Sequence, residues 1–374
     1  MFRREQTRPV KAGSLIIGGG APVIIESMTN TDTADLAATL AQIEELKQAG
    51  CELVRVAVPH QRAVDALPDL VRQSALPLVA DIHFNHRFAL SAIRAGVVKL
   101  RINPGNIGGE ERLAEVVSLA GEKQVPIRIG VNAGSLERKL LDKYGRATPE
   151  AMLESAMAHI RLAEKLGFYD LVISLKASSV PLTFAANILF AKESRYPLHL
   201  GVTEAGSSFS GTVFSAAGIG ALLLAGLGDT IRVSLTAPPV EEIRVAKEIL
   251  SAAEIRRFGP RIISCPTCGR CQIDLIDLVK ELEQRTAKIT EPLTLAVMGC
   301  VVNGPGEARE ADLGIAGGKN QGLIFCGGEV VRKVPQSQLV DQFMSFLYEY
   351  LNHKACLKGR KIENRSAEIS NIEG

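Results

Sequence analysis

No stretch of this 374-residue chain is apolar for long enough to span a bilayer, and the patch at 221–225 is short and lies within a helical pattern. The opening residues Met1-Phe2-Arg3-Arg4-Glu5-Gln6 lack the apolar centre of a secretory signal. A surplus of charge is missing too. Lys and Arg number 43 against 41 Asp and Glu, a net charge of +2, so no general attraction to nucleic acid or a membrane surface follows. There is no low-complexity tract. The Gly18-Gly19-Gly20 run lacks the G-x-G-x-x-G spacing that opens a dinucleotide-binding helix. Seven cysteines, an odd number, read as reduced thiols in a cytoplasmic setting rather than as a disulfide framework. What the chain does have is a core: 46% hydrophobic and 22% charged residues exclude global disorder, and the length accommodates two domains.

From residue 23 to about 255 the sequence repeats one rhythm of a β-branched run, a polar turn and an amphipathic helical stretch. Strands are expected at 23–28, 53–58, 76–82, 97–103, 126–132, 171–176, 197–203 and 231–235, with helices such as 34–49, 149–166 and 240–253 between them. Parallel strands need crossover helices of this length. An open doubly wound sheet has the same local rhythm, but eight units favour an α/β fold of the (β/α)8 TIM-barrel type over residues 1–258. After Gly259-Pro260, a turn signal, the pattern changes. Residues 259–352 read as a small α/β domain, with a helix at 273–285, strands at 293–297 and 313–316, a hairpin near 322–325 and a last helix at 335–351. Residues 353–374 read as a flexible tail.

Barrel strands are buried on both faces and should be plainly aliphatic. These are not. Arg55, Arg101, Arg128 and Arg232 lie inside strands and Lys176 ends one. A single buried charge is explained by a local ion pair or by a side chain reaching solvent at the rim; five on equivalent strands, near the ends where barrels build their sites, point to a ligand. Arg101 with Asn103, Arg128 with Asn132 and Arg232 with Ser234 each share a strand face. Several cations with amide and hydroxyl donors at one mouth suit a polyanion, and a diphosphate is the natural one. Asp81 reads as an orienter of arginine, His83 as a hydrogen-bonding histidine with proton donation as the alternative, and Glu204 as an acid or base beside the cations. Asn30-Thr31-Asp32-Thr33 reads as a structural capping loop.

The second concentration of chemistry is Cys265-Pro266-Thr267-Cys268-Gly269-Arg270-Cys271, followed by Cys300 in Met298-Gly299-Cys300-Val301-Val302-Asn303-Gly304-Pro305-Gly306-Glu307. A zinc ribbon with four thiolate ligands would need a second C-x-x-C pair, and Cys300 stands alone, so an iron–sulfur site is favoured. By spacing the ligands are Cys265, Cys268, Cys271 and Cys300. Glu307 is the alternative to Cys271, a carboxylate that binds such iron less firmly and yields to substrate, and spacing does not choose between them. Cys51, Cys326 and Cys356 read as plain small side chains. An iron–sulfur electron carrier, or a barrel enzyme acting on phosphates with a structural zinc site, are the competing readings.

Ser27-Met28-Thr29-Asn30-Thr31, Asp81-Ile82-His83-Phe84, Arg101-Ile102-Asn103-Pro104-Gly105-Asn106, Gly201-Val202-Thr203-Glu204-Ala205-Gly206 and the two cysteine segments together resemble the bacterial 4-hydroxy-3-methylbut-2-enyl diphosphate synthase family, from about residue 10 to 350. The resemblance implies reductive ring opening of 2-C-methyl-D-erythritol 2,4-cyclodiphosphate to the linear hydroxymethylbutenyl diphosphate in the non-mevalonate isoprenoid pathway, with electrons from ferredoxin or flavodoxin. It implies a [4Fe-4S] cluster held by Cys265, Cys268, Cys300 and Glu307, with Cys271 a spare thiol. It implies a diphosphate clamp of Arg55, Arg101, Arg128, Asn132, Lys176, Arg232 and Ser234, with Asp81 among them, and Glu204 close to the reacting centre. It also implies a head-to-tail homodimer in which each barrel mouth is covered by the partner's cluster domain.

Overall fold

The computed structural model describes residues 2–103, 107–300, 310–318 and 320–353. Glu307, Cys356 and most of the expected tail lie outside them. The chain divides into two compact units at Arg256/Arg257, two residues before the boundary expected from sequence.

The first unit opens with a hairpin, β1 (Val10–Ala12) antiparallel to β2 (Leu15–Ile17). Eight parallel strands follow: β3 (Ile24–Met28), β4 (Leu53–Ala57), β5 (Leu78–Ile82), β6 (Lys99–Ile102), β7 (Ile127–Asn132), β8 (Leu171–Lys176), β9 (His199–Leu200) and β10 (Thr230–Ile231), in the order β8-β7-β6-β5-β4-β3-β10-β9. The two ends of that order meet. Ile173 bridges Leu198 in parallel, and its N–H donates to the Pro197 carbonyl at 2.9 Å, so the sheet closes into the expected barrel. The last two strands are shorter than their sequence runs suggested. The chain stays paired one step further, with Arg232 N–H donating to Leu200 C=O at 2.9 Å. Beyond that the backbones of 201 and 232 close together; a Cβ on Gly201 would lie 2.6 Å from the Arg232 carbonyl oxygen.

Helices α1 (Leu36–Ala49), α2 (Gln61–Gln73), α3 (His86–Ala95), α4 (Glu110–Lys123), α5 (Arg138–Tyr144), α6 (Pro149–Lys165), α7 (Val180–Glu193), α8 (Ser208–Leu224) and α9 (Pro239–Ala252) lie in the connections. Their starts follow capping chemistry. Asp35, Asn85, Thr148 and Ser179 accept hydrogen bonds from the backbone N–H groups of Ala38, Arg87, Ala151 and Leu182. Asp35, rather than the 30–33 loop, therefore caps α1, two residues later than expected, while Thr33 ties that loop to the Ala57 carbonyl at 2.7 Å. The hairpin and α5 had no signal in the periodicity because each is too short to show one.

Strand alternation sends one set of side chains into the lumen. At the N-terminal end this set is aliphatic: Ile24, Leu53, Val79 and Val172 pack with Val10, Ala12 and Ile17 of the hairpin, all buried. The hairpin thus stoppers the barrel from below.

The second unit holds a five-stranded sheet, β11 (Arg261–Ser264), β12 (Thr294–Met298), β13 (Leu313–Gly318), β14 (Gln321–Cys326) and β15 (Glu329–Pro335), parallel across the first three and antiparallel thereafter. Helix α10 (Leu275–Thr286) and a helix over 339–353 supply Leu275, Leu282, Phe343, Met344 and Leu347 to a core with Leu295, Val297, Leu313, Ile315 and Ile324. Strands β11 and β15 were not expected: β11 has no buried residue and β15 is mostly exposed, as edge strands often are. No helix of the described residues is long and apolar enough to cross a membrane. Phe343 is fully buried in the second core. Phe343→Ala should cost about 3–5 kcal/mol of that unit's stability, measured by denaturant unfolding.

Candidate functional site

Above the aliphatic floor the lumen turns polar. Glu26 of β3 and Lys99 of β6 are fully buried and pair at 2.5 Å. Arg128 of β7, 2% exposed, brings Nη2 to 3.9 Å from the same carboxylate. His199 of β9, also fully buried, meets Thr230 Oγ1 of β10 through Nδ1 at 2.7 Å and stands 3.9 Å from Glu26. Burial works against charge on Glu26, but Lys99, then Arg128 and Arg55, outweigh it and bring the carboxyl down to about 2. For Arg128, burial lowers the pKa to about 9, opposed chiefly by Glu26 and aided by the neighbouring Arg55 and Arg101, which leaves it charged at neutral pH.

One tier higher, Asp81 of β5 lies between two guanidiniums. Arg101 Nη1 donates to Oδ1 at 3.0 Å and Arg55 Nε is 3.4 Å from Oδ2. Those arginines hold the Asp81 carboxyl below the ordinary aspartate range although burial opposes it. Arg55 Nε and Arg232 Nη1 both face Met28 Sδ, at 3.1 and 3.7 Å, so one thioether sits between two cations. Arg232 Nε is 3.5 Å from Glu242 of α9, whose carboxylate also accepts from Ser27 Oγ and from the Leu235 N–H, at 3.0 and 3.1 Å. Room for these long side chains comes from missing ones. A Cβ on Gly130 would lie 3.2 Å from Arg101 Nε, and one on Gly201 2.6 Å from Lys176 Nζ. Lys176 itself is buried and has no ion pair among the described residues.

The sequence-derived set therefore comes together as a group in one lumen: Arg55, Asp81, Arg101, Arg128, Lys176 and Arg232 share partners or neighbours. Asn132 ends β7 two positions beyond Gly130 and is half-buried. Ser234 lies past the end of β10 and is half-buried as well. Glu204 is exposed, in the loop after β9, with a left-handed φ of 54°. It makes no ion pair among the described residues. His83 is exposed beyond β5, its ring tilted against Phe84. Four residues of the same lumen were not singled out from sequence: Glu26, Met28, Lys99 and His199. The signal was present. Lys99 stands two before Arg101, and Glu26 two before Met28, so each shares its strand face with a rim residue.

In the second unit the cysteines collect at the C-terminal edge of the parallel pair β11–β12, where Ser264 faces Val297 in register. Cys265 Sγ accepts the Gly299 N–H at 3.2 Å, and Cys300 is buried two residues past β12. Cys268 is exposed, and the Arg270 N–H with its side chain draws the thiol toward the thiolate. Cys271 adjoins the same turn, since a Cβ on Gly299 would lie 2.5 Å from its Sγ, but its thiol donates to the Ile273 carbonyl at 3.2 Å; like Cys265, it packs against the apolar core. Cys51 is buried, its pKa pushed up to about 12 by burial, and burial raises Cys326 as well, in keeping with plain core side chains. Among the described residues no three His, Cys, Asp or Glu already surround a metal-sized point. Thiols served by N–H donors are nonetheless the donor set that soft iron takes.

A family model for the GcpE TIM-barrel domain matches residues 7–247, and one for the GcpE protein C-terminal domain matches 261–349. The 4-hydroxy-3-methylbut-2-en-1-yl diphosphate synthase (flavodoxin) of Geobacillus thermodenitrificans is 53% identical over 371 residues, covering 97% of this chain and 99% of its own. That of Geobacter sulfurreducens is 55% identical over 351 residues, covering 94% and 99%. Among solved structures, dihydropteroate synthase from Yersinia pestis aligns with a TM-score of 0.47 at 15% identity over 66% of this chain and 97% of that one, too loose a likeness to carry an argument.

Lys99 is the nearest cation to Glu26. Lys99→Met leaves that carboxylate buried with only the more distant Arg128, and should destabilise the barrel by roughly 3–5 kcal/mol. Adding Glu26→Gln should recover much of the loss, both read by thermal unfolding.

Proposed function

The chain belongs to the GcpE family of 4-hydroxy-3-methylbut-2-enyl diphosphate synthases, and we infer from that premise how its own residues carry out the family reaction. The substrate is 2-C-methyl-D-erythritol 2,4-cyclodiphosphate. Reductive opening of its ring, with loss of water, gives 4-hydroxy-3-methylbut-2-enyl diphosphate for isoprenoid synthesis.

One observation carries the assignment of the clamp: five cations, from five strands of the barrel and their ends, converge on a single lumen in which the described residues supply too few carboxylates to neutralise them. In this reading Arg55, Arg101, Arg128, Lys176 and Arg232 bind the diphosphate, Asn132 and Ser234 donate at its edge, and Asp81 orients Arg55 and Arg101. Fixed in advance by their partners, the four arginines stabilise charge on the phosphate oxygen that is released as the C–O bond breaks. Glu204, exposed in the loop after β9, is assigned the movement of a proton at the reacting end. The lumen's buried walls keep water from the clamped anion.

Cys265, Cys268, Cys300 and Glu307 are assigned as the holders of a [4Fe-4S] cluster, Glu307 being outside the described residues. The disposition of Cys265 and Cys268 toward N–H donors supports this set, and the commitment of the Cys271 thiol to the Ile273 carbonyl supports leaving it out. When bound, the cluster supplies electrons singly to the substrate. The donor is assigned as flavodoxin, as in the names of the relatives, or ferredoxin. A head-to-tail homodimer in the cytoplasm completes the reading. Phe209 and Val213 of α8, 83% and 52% exposed and one helical turn apart, give the barrel an apolar surface for a second copy to cover.

Protein purified without oxygen should be brown, with iron and sulfide in equal amounts; colourless protein containing zinc overturns the assignment. Arg128→Ala should keep the colour and lose at least ~100-fold in turnover of the cyclodiphosphate, as removing a charged donor from a buried anion site does. Cys271→Ser should retain the cluster and Glu307→Ala should lose iron or activity. The opposite pair of results would exchange the two ligand assignments.

A further inference from the structure

Four of the five clamp cations have an anion of their own. Arg55 and Arg101 share Asp81, Arg128 faces Glu26, and Arg232 faces Glu242. Lys176 has none among the described residues, although it is only 8% exposed. Every other strand of the barrel presents a charged or titratable group around it: Glu26 from β3, Arg55 from β4, Asp81 from β5, Lys99 and Arg101 from β6, Arg128 from β7, His199 from β9 and Arg232 just past β10. The cations nearest in effect are Arg128, Arg55 and Arg232, and the anion that acts on it most is Glu26, itself already paired with Lys99. An ammonium placed there meets burial without a partner and like charge on several sides, two penalties on the same form of the same group.

We propose that Lys176 is the proton-accepting member of the clamp: its side chain is a neutral amine before an anion binds, and it takes a proton from solvent as the cyclic diphosphate enters. The N–H bond forms on the Nζ lone pair, the proton comes from buffer, and no bond of the substrate changes. This rests on the clamp assigned above. Burial first, then Arg128, Arg55 and Arg232, set the proton affinity of Lys176 well below that of an ordinary lysine, in line with the geometry. An incoming dianion reverses the balance. It neutralises the surrounding guanidiniums and adds an acceptor, so the ammonium becomes the favoured form. The lysine therefore contributes its charge only when there is a substrate to hold. Ring opening then frees a further phosphate oxygen, and the ammonium is in place to offset it. His199 is the other neutral base of the lumen, and its burial under Arg128, Lys176 and Lys99 makes it the alternative acceptor.

Cyclic diphosphates suit a test, because each phosphorus carries one strongly acidic oxygen and the molecule stays a dianion through the neutral range. Any proton taken up therefore enters the protein. Oxidised, cluster-loaded enzyme without an electron donor is titrated calorimetrically with the cyclodiphosphate in non-phosphate buffers of low and high ionisation enthalpy. The wild type should take up a proton on binding, to the extent that Lys176 is neutral in the free site. The sign follows: binding raises the pKa of Lys176, so affinity is greatest at low pH. Kd should then rise about tenfold per pH unit above the lowered value of the free site, as far as the range in which Arg128 itself begins to titrate. Lys176→Met should bind more weakly, take up no proton and lose the pH slope. Lys176→Arg, a permanent cation, should bind with no uptake and a flat Kd, which keeps the test decisive if the methionine variant folds poorly. Binding by the wild type without uptake overturns the proposal. So does uptake that survives in Lys176→Met and disappears in His199→Gln. No binding at all by the wild type would instead sink the substrate assignment.

Discussion

Lys99 and Glu26 meet at 2.5 Å in the centre of the barrel, and the arrangement above them depends on that contact. The lumen holds several cations close together, as the proposed clamp for an anion requires. Each costs free energy to bury, and each repels the others. Glu26 answers both problems at the lowest tier by facing Lys99 and Arg128 together. Asp81 does the same one tier up for Arg55 and Arg101, and Glu242 does it from outside the ring for Arg232. The clamp is thus a lattice of alternating charge with a net positive remainder. That remainder sits on the guanidiniums, while Lys176, buried among them, has no carboxylate of its own among the described residues.

The same principle explains which parts were legible in the sequence. The eight strand–helix units were readable because buried parallel strands impose long aliphatic runs, and arginines inside such runs stood out against that background. Glu26, Lys99 and His199 break the same rule, yet they sit one turn of the pleat deeper, away from the strand ends where sites are sought. Nothing in a linear pattern distinguishes a charge that touches a ligand from one that supports its neighbour; the distances do. The shortness of β9 and β10 was hidden for a similar reason, since the apolar runs at 197–203 and 231–235 persist after ladder pairing stops.

The second unit was read less completely. Its edge strands β11 and β15 are exposed and carry little apolar alternation, so they left no pattern to find. The cysteine segment was identified by its residues, but spacing gave Cys268 and Cys271 equal standing. Their surroundings differ. One thiol is exposed and eased toward its anion by a neighbouring N–H, while the other donates to a carbonyl and lies against leucines and isoleucines.

The hairpin beneath the barrel has a kinetic corollary. Because Val10, Ala12 and Ile17 seal the lower opening with aliphatic side chains, the cavity is blind, like a test tube rather than a pipe. Whatever enters from above has to leave by the way it came. Spent product must therefore vacate before fresh substrate can sit down, and the two compete for one doorway. An isoprenoid precursor that accumulates in the cell would throttle its own formation by occupancy alone, without any separate regulatory site.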